Sequence, residues 1–469
     1  MNILHVSAEC FPAAKVGGLA DVVGALPIYQ NNLGFTSRVI IPYYDNNFTE
    51  KNKFETVFES ELELGELVYD FQVLKLKKDL GFPFYMLRVP GLLDREQVYS
   101  YVDDPERFLA FQLGVLNWVL ESKLKPSVVH CHDHHTGLIP FMMSYAYKYR
   151  SFKHIPSVLT IHNAQYQGQF SFDKLHLIPK FDLEHIGLLD WHQQINPLAA
   201  AIKCAWKITT VSPSYLDELA VTENGLEDLL ASERPKSLGI LNGIDVNVWN
   251  PETDSKLAKN YAINNVQSGK SYNKKILCKR FDLDPEKPLF SFIGRLVYEK
   301  GADLFPDIFY KTLLKQDVNI LVLGSGNHEV ESKLTALKTP FRNSYNVFIG
   351  YDENLAHQIY AGSDFLLMPS RVEPCGLNQL YALRYGTIPV VRRIGGLKDT
   401  VIDIGEADGF GICHDQATVD DVCYSIERGV TFYKDQKLYR KTRKKCMKID
   451  HSWDQSAKEY LSLYQSLTN

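Results

Sequence analysis

The segment from Lys15 to Asp21 combines a lysine with two adjacent glycines, Gly17 and Gly18, at the start of a predicted helix. Adjacent glycines let the backbone approach a ligand closely, and the N–H groups at a helix start favour an anion. The helix dipole contributes only about 0.3 to 1 kcal/mol, whereas an ammonium about 4 Å from a phosphate charge contributes roughly 4 kcal/mol at an effective dielectric of 20. Lys15 is therefore predicted to dominate a phosphate site. The alternative, a glycine turn for tight packing beside a solvated lysine, stays open.

A histidine-rich run, His130 to His135, with Asp133 inside it, lies at the end of a predicted strand. Such side chains invite a metal hypothesis, but those along a strand point to alternate faces and cannot all converge on one ion. A polar strand end is the preferred interpretation. Open α/β sheets bind ligands at this edge, so Asp133 is a candidate substrate contact. His162 and Asn163 end the next strand and are expected to face the same crevice, although a purely structural histidine is an equal alternative on this evidence.

In the second half of the chain, Arg295 and Lys300 follow a predicted strand, and Glu373 stands near Gly376 before a helix. Two cations at a strand end can clamp a diphosphate whose charge grows as a glycosidic bond breaks, and they can replace a metal ion. A carboxylate such as Glu373 can accept hydrogen bonds from a sugar and stabilise positive charge on its anomeric carbon. The alternatives are a surface loop with two solvated charges and a helix cap.

The elements that position these residues can be predicted from short apolar runs that alternate with helix-length segments. Such runs are typical of strands buried on both faces of a parallel sheet, which indicates doubly wound α/β structure. The first series comprises residues 3–6, 38–42, 128–131, 157–161 and 208–211, and the second comprises residues 289–293, 319–323, 347–349, 365–368 and 388–391. The sequence therefore predicts two sheets, with an antiparallel excursion over 54–89, where the residues alternate in polarity.

The stretch from Asn242 to Pro288, with its polar run over 264–275, has the turn chemistry of an interdomain connection, so we place the domain boundary near residue 245. Ser452 is predicted to cap a final helix that presents Ala457, Tyr460, Leu461 and Tyr464 on one face. The basic run over 440–445 is interpreted as a solvated helix face.

Composition narrows the function classes. The 469 residues are 45% hydrophobic and 23% charged, with a formal net charge of −5, which is typical of a soluble globular protein and argues against nucleic acid as a partner. No stretch approaches the roughly 20 apolar residues of a membrane span, and no targeting segment is visible, so we expect a cytoplasmic protein without a membrane partner. The eight dispersed cysteines are expected to be reduced thiols.

Seven motifs occur in the order seen in bacterial glycogen synthases and plant starch synthases, and the chain resembles that family from its first residues to the final helix. They are Lys15–Asp21, Cys131–Asp133, His162–Asn163, Asn242–Asp245, Gly294–Leu296, Glu373–Leu377 and Gly395–Leu397. The resemblance implies the α/β GT-B architecture, with two Rossmann-like doubly wound domains facing each other across a cleft. They would span residues 1–245 on the acceptor side and 246–451 on the nucleotide-sugar side, with a helix over 452–469 returning to the first domain.

The resemblance further implies transfer of glucose from ADP-glucose to the non-reducing end of an α-1,4-glucan, either glycogen or a maltooligosaccharide, with retention of configuration and no cofactor or divalent metal. Arg295 and Lys300 would bind the diphosphate, Glu373 would hold the glucose, and the carbonyl after His162 would support the cationic transition state, so these four residues are the expected catalytic set. The expected nucleotide-sugar and substrate contacts are Lys15, Gly17, Gly18, Asp21, Asp133, Asn163, Asn242, Tyr351, Cys375, Gly376 and Leu377. Of these, Tyr351 could stack on the nucleobase.

Some alternatives remain open. Many related retaining glycosyltransferases carry a second glutamate eight positions after the first, but Tyr381 stands there, as in glycogen and starch synthases. A UDP-glucose-dependent relative or one with another acceptor is the nearest enzymatic alternative. An α-glucan phosphorylase would need a site for pyridoxal phosphate, and no segment resembles one. A catalytically silent glucan-binding protein is opposed by the joint presence of five residues, because each loss would cost activity without harming the fold. They are Lys15, His162, Arg295, Lys300 and Glu373.

Overall fold

The computed structural model describes residues 1–221 and 224–468, which divide into two compact units. The N-terminal unit is Met1–Gly243 together with the end of the chain from Trp453, and the C-terminal unit is Ile244–Ser452. The last residue of the predicted final segment, Asn469, lies outside the described residues. No helix among these residues has both the length and the apolar character needed to cross a bilayer.

In the described part of the N-terminal unit, nine strands form one sheet in the order β11-β10-β7-β6-β1-β2-β5-β4-β3. The unit's strands are β1 Asn2–Val6, β2 Thr36–Pro42, β3 Phe54–Leu64, β4 Leu67–Leu76, β5 Phe84–Arg88, β6 Val128–His132, β7 Ser157–Ile161, β8 Asp190–Trp191, β9 Gln194–Ile195, β10 Lys207–Thr210 and β11 Ser237–Gly239. Its helices up to the boundary are α1 Gly18–Asn32, α2 Asn47–Lys51, α3 Asp104–Glu121, α4 Ile139–Tyr145, α5 Pro197–Cys204, α6 Pro213–Leu219 and α7 Glu227–Ser232.

The predicted parallel strands of this unit are confirmed, since β1 pairs with β2 and β6 in parallel and β7 pairs with β6 and β10 in parallel. The predicted antiparallel excursion is also present, because β3 pairs with β4 and β4 with β5 in antiparallel fashion. However, β5 also pairs in parallel with β2. The excursion therefore extends the main sheet.

In the described C-terminal unit, six parallel strands form a sheet in the order β14-β13-β12-β15-β16-β17. They are β12 Leu289–Ile293, β13 Asn319–Gly324, β14 Tyr345–Ile349, β15 Phe365–Met368, β16 Ile388–Arg392 and β17 Ile412–His414. The helices are α8 Val266–Arg280, α9 Phe305–Lys315, α10 His328–Ala336, α11 Glu353–Gly362, α12 Asn378–Arg384, α13 Gly395–Thr400, α14 Val419–Lys434 and α15 Gln436–Cys446. The second predicted series of strands is confirmed.

The interpretation of the polar run 264–275 as part of a connection is wrong. It falls within α8, where Lys270, Asn273 and Lys274 are buried beside Leu277 and Cys278. Lys270 Nζ donates to the Tyr360 carbonyl at 2.9 Å, so a polar helix face finds its partners inside the unit. Burial of these groups is tolerated because they are hydrogen-bonded.

The final helix α16, Trp453–Thr468, packs in the N-terminal unit. Its buried face, which includes Ala457, Tyr460, Leu461 and Tyr464, confirms the predicted face. This face joins a core cluster with Ile3 of β1 and with residues of α1, β6 and β7. The helix therefore covers the sheet next to β6, the strand that leads into the histidine-rich run.

Candidate active site

The glycine-rich loop before α1 is organised by a carboxylate that the sequence analysis did not single out. Glu9, which is 3% exposed, accepts hydrogen bonds from Val16 N at 2.5 Å and Gly17 N at 3.0 Å. Its other oxygen accepts from the Tyr99 hydroxyl at 2.5 Å. The Gly17 N–H is thus bound by the protein itself, while the predicted role of the N–H groups at the helix start, which is Gly18, stays a prediction. The sequence feature that could have identified Glu9 is its position, since it is a carboxylate three residues after the end of β1.

Lys15 forms an ion pair with Asp21, with 2.7 Å between Nζ and Oδ1, and both side chains are partly exposed. Exposed pairs of this kind contribute only about 0 to 1 kcal/mol. An incoming phosphate can therefore compete for the Lys15 ammonium at little cost. Gly17 caps α1 and Gly18 begins it, and a Cβ at Gly17 would meet no atom within 4 Å, so the surface beside the lysine is open.

The carboxyl ends of β6 and β7 are joined by Asp133. Its Oδ1 accepts from His162 N at 2.7 Å and from Asn163 N at 3.4 Å, so the two strand ends meet as predicted. Asp133 is buried and has a φ of 56°, a conformation unusual for a residue other than glycine. Burial raises the pKa of Asp133 to about 7, and the nearby Glu9 charge also raises it, whereas the hydrogen bonds from the two backbone N–H groups lower it. The glycine loop and these strand ends therefore lie at the same edge of the sheet.

His162 is a buried, neutral histidine. Its Nε2 lies 3.0 Å from His132 Nδ1, and burial lowers its pKa to about 3. The residue is 8% exposed. It can accept or donate a hydrogen bond through its remaining ring nitrogen, Nδ1, but it does not carry a positive charge at neutral pH.

Three histidines converge, but only two of them belong to the run from His130 to His135, which agrees with the expectation that its side chains do not all meet. His130 and His132 are two residues apart on β6 and face the same side, and His5 of β1 joins them with one nitrogen from each within 4.8 Å of the others. Every ring nitrogen of the three is engaged in a hydrogen bond within the protein, with Gln30, Thr160, His162, Tyr464 or another of the three. A metal ion here would have to displace those bonds.

In the C-terminal unit, Glu373 and Lys300 form the core of the second group of predicted residues. The Lys300 ammonium lies 2.6 Å and 2.7 Å from the two carboxylate oxygens of Glu373, and Ser370 Oγ donates to Oε2 at 2.8 Å. Glu373 is 6% exposed, whereas the Lys300 side chain is 26% exposed. The carboxylate is therefore not a helix cap but a buried acceptor held by a partly accessible cation.

The backbone around Glu373 packs tightly on the start of α13. A Cβ at Gly395, whose φ is 45°, would lie 2.1 Å from the Glu373 carbonyl oxygen, and one at Gly396 would lie 2.1 Å from that of Cys375. Gly396 N also donates to the Glu373 carbonyl at 3.2 Å. Only glycine permits this approach, which explains the glycine pair in the sequence.

Three further predicted residues, Arg295, Tyr351 and Asn242, are not part of the Lys300–Glu373 cluster. Arg295 is exposed, and its side chain makes no hydrogen bond or ion pair within residues 1–221 and 224–468. Lys300 is paired with Glu373 in this structure, and the clamping of a diphosphate by Arg295 and Lys300 stays a prediction. Tyr351 is 78% exposed after β14, and Asn242 is buried with Oδ1 lacking a hydrogen-bond partner in the described part of the chain.

The segment before α12 is fixed by one side chain. Gln379 Nε2 donates to the carbonyls of Cys375, at 3.1 Å, and Gly376, at 3.0 Å, and Leu377 immediately precedes the helix. Tyr381, which replaces the second glutamate of other glycosyltransferases, is buried and stacks on Trp249 with 3.7 Å between ring centroids. It contributes to the core of the unit.

Two Rossmann-like units, each with polar and charged residues at the carboxyl ends of parallel strands, define the GT-B class of glycosyltransferases. Comparison with known proteins agrees with this class. The family model "Starch synthase catalytic domain" matches residues 2–232, and the model "Glycosyl transferases group 1" matches residues 273–445.

Whole-length relatives narrow the class. A glycogen synthase of Flavobacterium johnsoniae is 56% identical over 467 residues, which cover 99% of this chain and 98% of that protein. A glycogen synthase of Geobacillus thermodenitrificans is 37% identical, covering 100% of this chain and 98% of its own. The solved catalytic domain of starch synthase IV from Arabidopsis thaliana, bound to ADP and acarbose, matches with a TM-score of 0.91 and 32% identity over 99% of both chains.

The chain therefore belongs to the glycogen and starch synthase family and is a retaining glucosyltransferase that uses nucleotide-sugar and glucan substrates. A sucrose-phosphate synthase from Thermosynechococcus elongatus, 15% identical with a TM-score of 0.61 over 99% of this chain and 98% of that one, shares the fold alone.

Proposed function

We propose that the donor is ADP-glucose and that the protein, acting in the cytoplasm, extends the non-reducing end of an α-1,4-glucan such as glycogen or a maltooligosaccharide without a divalent metal. The donor assignment is supported by the starch synthase IV structure, which holds ADP. The resemblance in seven ordered motifs supports the acceptor assignment.

The observation that carries the proposal is the Lys300, Glu373 and Ser370 cluster. Both oxygens of Glu373 are bound by the Lys300 ammonium, and one also accepts from Ser370. A carboxylate held in this way is a weak nucleophile, and it is suited to accept hydrogen bonds from glucose hydroxyls and to stabilise a cationic anomeric carbon. Lys300, which remains partly accessible, can at the same time attract the donor diphosphate.

This arrangement favours front-side transfer over a covalent glycosyl-enzyme. In the proposed reaction the bond between the anomeric carbon and the diphosphate oxygen breaks, and the acceptor hydroxyl attacks the same face. The leaving phosphate then accepts the proton from that hydroxyl. Arg295 and Lys300 neutralise the charge that develops on the diphosphate, which is the role a metal ion plays in other enzymes.

The N-terminal unit supplies the other groups. His162 and Asp133 contact the glucose, and the backbone carbonyl after His162 faces the cationic transition state. Lys15 binds a donor phosphate or the acceptor side. The residues assigned to supporting substrate contacts are Gly17, Gly18, Asp21, Asn163, Asn242, Tyr351, Cys375, Gly376 and Leu377.

The test is release of nucleoside diphosphate from ADP-glucose or UDP-glucose, with and without glycogen, in the presence of EDTA. We expect glycogen-dependent release of ADP that EDTA does not abolish. Release of UDP in preference would move the donor assignment to UDP-glucose, and loss of activity in EDTA, restored by a divalent ion, would contradict the metal-free mechanism. No turnover with either sugar would favour a silent glucan-binding protein.

A matched pair of variants ties activity to the cluster. Glu373→Gln keeps the shape of the side chain but removes its charge, and we expect kcat to fall by roughly 100-fold or more, the size of effect found when one preorganised electrostatic group is lost. Glu329→Gln removes an exposed carboxylate that is paired with Lys333 on α10, and it should leave turnover unchanged.

A further inference from the structure

A line of buried hydrogen bonds leads from His162 through the N-terminal sheet to α1. His162 Nε2 lies 3.0 Å from His132 Nδ1, and His132 Nε2 lies 3.1 Å from His5 Nδ1. His5 Nε2 in turn lies 2.9 Å from Gln30 Oε1. His132, His5 and Gln30 are fully buried. Three imidazoles are thus connected in series to one amide.

The protons of this series can be arranged in only two ways. Burial lowers the pKa of His5 to about 4 and of His162 to about 3, and it lowers that of His132 well below its usual value, so all three rings are neutral near pH 7. A neutral imidazole carries one N–H and one lone pair, and each link between rings holds one proton. All three rings therefore donate towards Gln30, or all three donate towards the outer nitrogen of His162.

Gln30 decides between the two arrangements. Its Oε1 accepts from Ser37 Oγ at 2.6 Å as well as from His5, while its Nε2 donates to the Tyr464 hydroxyl at 3.4 Å. With the amide reversed, the Ser37 hydroxyl would have no acceptor among the described residues. The carbonyl oxygen therefore faces two donors, and the protons of the series point towards it.

A second branch of hydrogen bonds starts at Tyr464, and all its donors find acceptors when Gln30 has this orientation. The Tyr464 hydroxyl, having accepted from Gln30, donates to His130 Nδ1 at 2.6 Å, and His130 Nε2 donates to Thr160 Oγ1 at 2.6 Å. Thr160 then donates to Thr209 Oγ1 at 2.6 Å, and Thr209 donates to the Leu159 carbonyl at 3.3 Å. No member of this branch is left without a partner.

We propose that Gln30, His5 and His132 are positioning residues that hold His162 in the tautomer with its proton on Nε2, so that Nδ1 presents a lone pair to the bound sugar. In that tautomer His162 accepts a hydrogen bond and selects a hydroxyl group that donates one. The role at the sugar rests on the proposed function, whereas the tautomer itself does not.

The direct test is nitrogen NMR of the imidazole rings in protein labelled at histidine, without any ligand. We expect the His162 signals of a protonated Nε2 and an unprotonated Nδ1. Protonation of Nδ1 in the wild-type protein would overturn the proposal. Because this measurement needs no turnover, it separates failure of the proposal from failure of the proposed function, which appears as absence of ADP release.

Gln30→Met tests the role in catalysis, because methionine fills a similar volume but cannot accept from His5. We expect a mixed His162 tautomer and a kcat with ADP-glucose lowered roughly tenfold or more, the size of effect seen when a group that orients a functional histidine is removed. KM for glycogen should change little. The matched control is Thr209→Val, which removes the two buried hydrogen bonds of the Thr209 hydroxyl at the end of the other branch and should keep the wild-type tautomer and turnover.

A Gln30→Met protein that retains the wild-type tautomer and turnover would refute the positioning role. Equal losses of turnover in the two variants would refute it as well, since both would then reflect a general weakening of the sheet. If Gln30→Met does not fold, the tautomer of wild-type His162 still decides the proposal.

Discussion

The two parallel sheets of this protein stabilise buried polar groups in different ways. The N-terminal sheet contains neutral histidines linked to Gln30 and Tyr464, whereas the C-terminal sheet contains a cluster of charges around Asp364. Both clusters are buried. A similar fold therefore accommodates two kinds of polar core, which should respond differently to pH and to mutation.

The charged cluster surrounds a single carboxylate. Asp364 accepts from Lys274 Nζ at 2.7 Å, Arg443 Nη2 at 2.9 Å, the Tyr439 hydroxyl at 2.7 Å and Leu289 N at 2.9 Å. Burial alone would raise the pKa of Asp364, but Lys274 and Arg443 outweigh it and lower the pKa to about 2. The cluster joins α8, β12, β15 and α15, so it links elements that are distant in sequence.

The two clusters differ in whether their hydrogen bonds must all be donated in one direction. A carboxylate only accepts hydrogen bonds, so its donors do not have to be arranged in any particular order. In a series of neutral imidazoles each ring has one donor and one acceptor nitrogen, so all the rings must donate in the same direction. The N-terminal cluster can therefore transmit a preference to His162, and the C-terminal cluster can only hold its elements together. The stability of the two clusters also depends differently on pH, because protonation of histidines disrupts the N-terminal cluster and protonation of a carboxylate disrupts the C-terminal one.

The largest expected effect is acid unfolding of the N-terminal unit before the C-terminal unit. Histidines whose folded pKa is lowered stabilise the fold above their unfolded pKa of about 6.5, and that stability is lost as the pH falls from there towards the folded pKa. For His5, with a folded pKa of about 4, the loss is roughly 3 kcal/mol. His130, His132 and His162 act in the same sense. Asp364 contributes stability above pH ~4 that is lost only as the pH approaches 2.

Hydrogen exchange measured peptide by peptide between pH 7 and pH 4 checks this order. We expect β6 and β7 to lose protection as the pH falls through 6 and 5, while β12 and β15 retain it. Simultaneous loss in both sheets would show that the two clusters do not set the acid stability of their units.

Breaking the charged cluster should cost more than breaking the neutral one. Asp364→Asn leaves Lys274 and Arg443 buried without a counter-charge, and we expect the free energy of unfolding of the C-terminal unit to fall by about 3 to 5 kcal/mol. Thr209→Val in the N-terminal sheet removes the two neutral hydrogen bonds of one hydroxyl and should cost about 1 to 3 kcal/mol. Urea unfolding at pH 7 compares them, and equal costs would remove the distinction between the clusters.

A pH-dependent effect of similar size is expected at Asp133. Its pKa of about 7 in the folded protein lies above the ordinary value of 3.8, so the folded state binds the extra proton between these values, and its contribution to stability falls as the pH rises from 4 to 7. Asp133→Asn still offers an oxygen to the N–H groups of His162 and Asn163 but does not titrate.

Relative to wild type, Asp133→Asn should therefore become steadily more stable over that range, with a slope of about one proton, and the difference should be constant above pH 7. Thermal unfolding of both proteins in parallel buffers measures it. A difference independent of pH would mean that Asp133 is ionised throughout.

The sequence was a good guide to the strands and to the edges where candidate residues lie. The runs 128–131 and 157–161 are rich in apolar and β-branched residues. Because the two strands are parallel and adjacent, Asp133 and His162 had to meet at one edge. The local pattern contains this information, since strand burial and the direction of the chain are properties of short segments.

The pairing of buried polar groups could not be predicted in the same way. Lys274 and Arg443 lie in runs of polar residues that are typical of solvated faces, and the interpretation of 440–445 as entirely solvated is wrong for Arg443. Their common partner, Asp364, is 90 residues from Lys274 and 79 from Arg443. Burying a charge is favourable only when such a partner is present, and no local pattern shows a partner at that distance.

The smallest expected effect tests whether the final helix matters to His162. Tyr464→Phe removes the hydroxyl that bridges Gln30 Nε2 and His130 Nδ1, so it should cost about 1 to 2 kcal/mol of stability. The His162 tautomer should persist, because Gln30 Oε1 still accepts from His5. The control, Tyr345→Phe, lies on β14 of the other sheet and removes a buried hydroxyl that has no hydrogen-bond partner in the described part of the chain, so it should be neutral or slightly stabilising. Thermal unfolding and histidine NMR of both variants measure these effects. A reversed tautomer in Tyr464→Phe would mean that the helix, rather than Ser37, orients the Gln30 amide, and the neutral cluster would then depend on the last element of the chain.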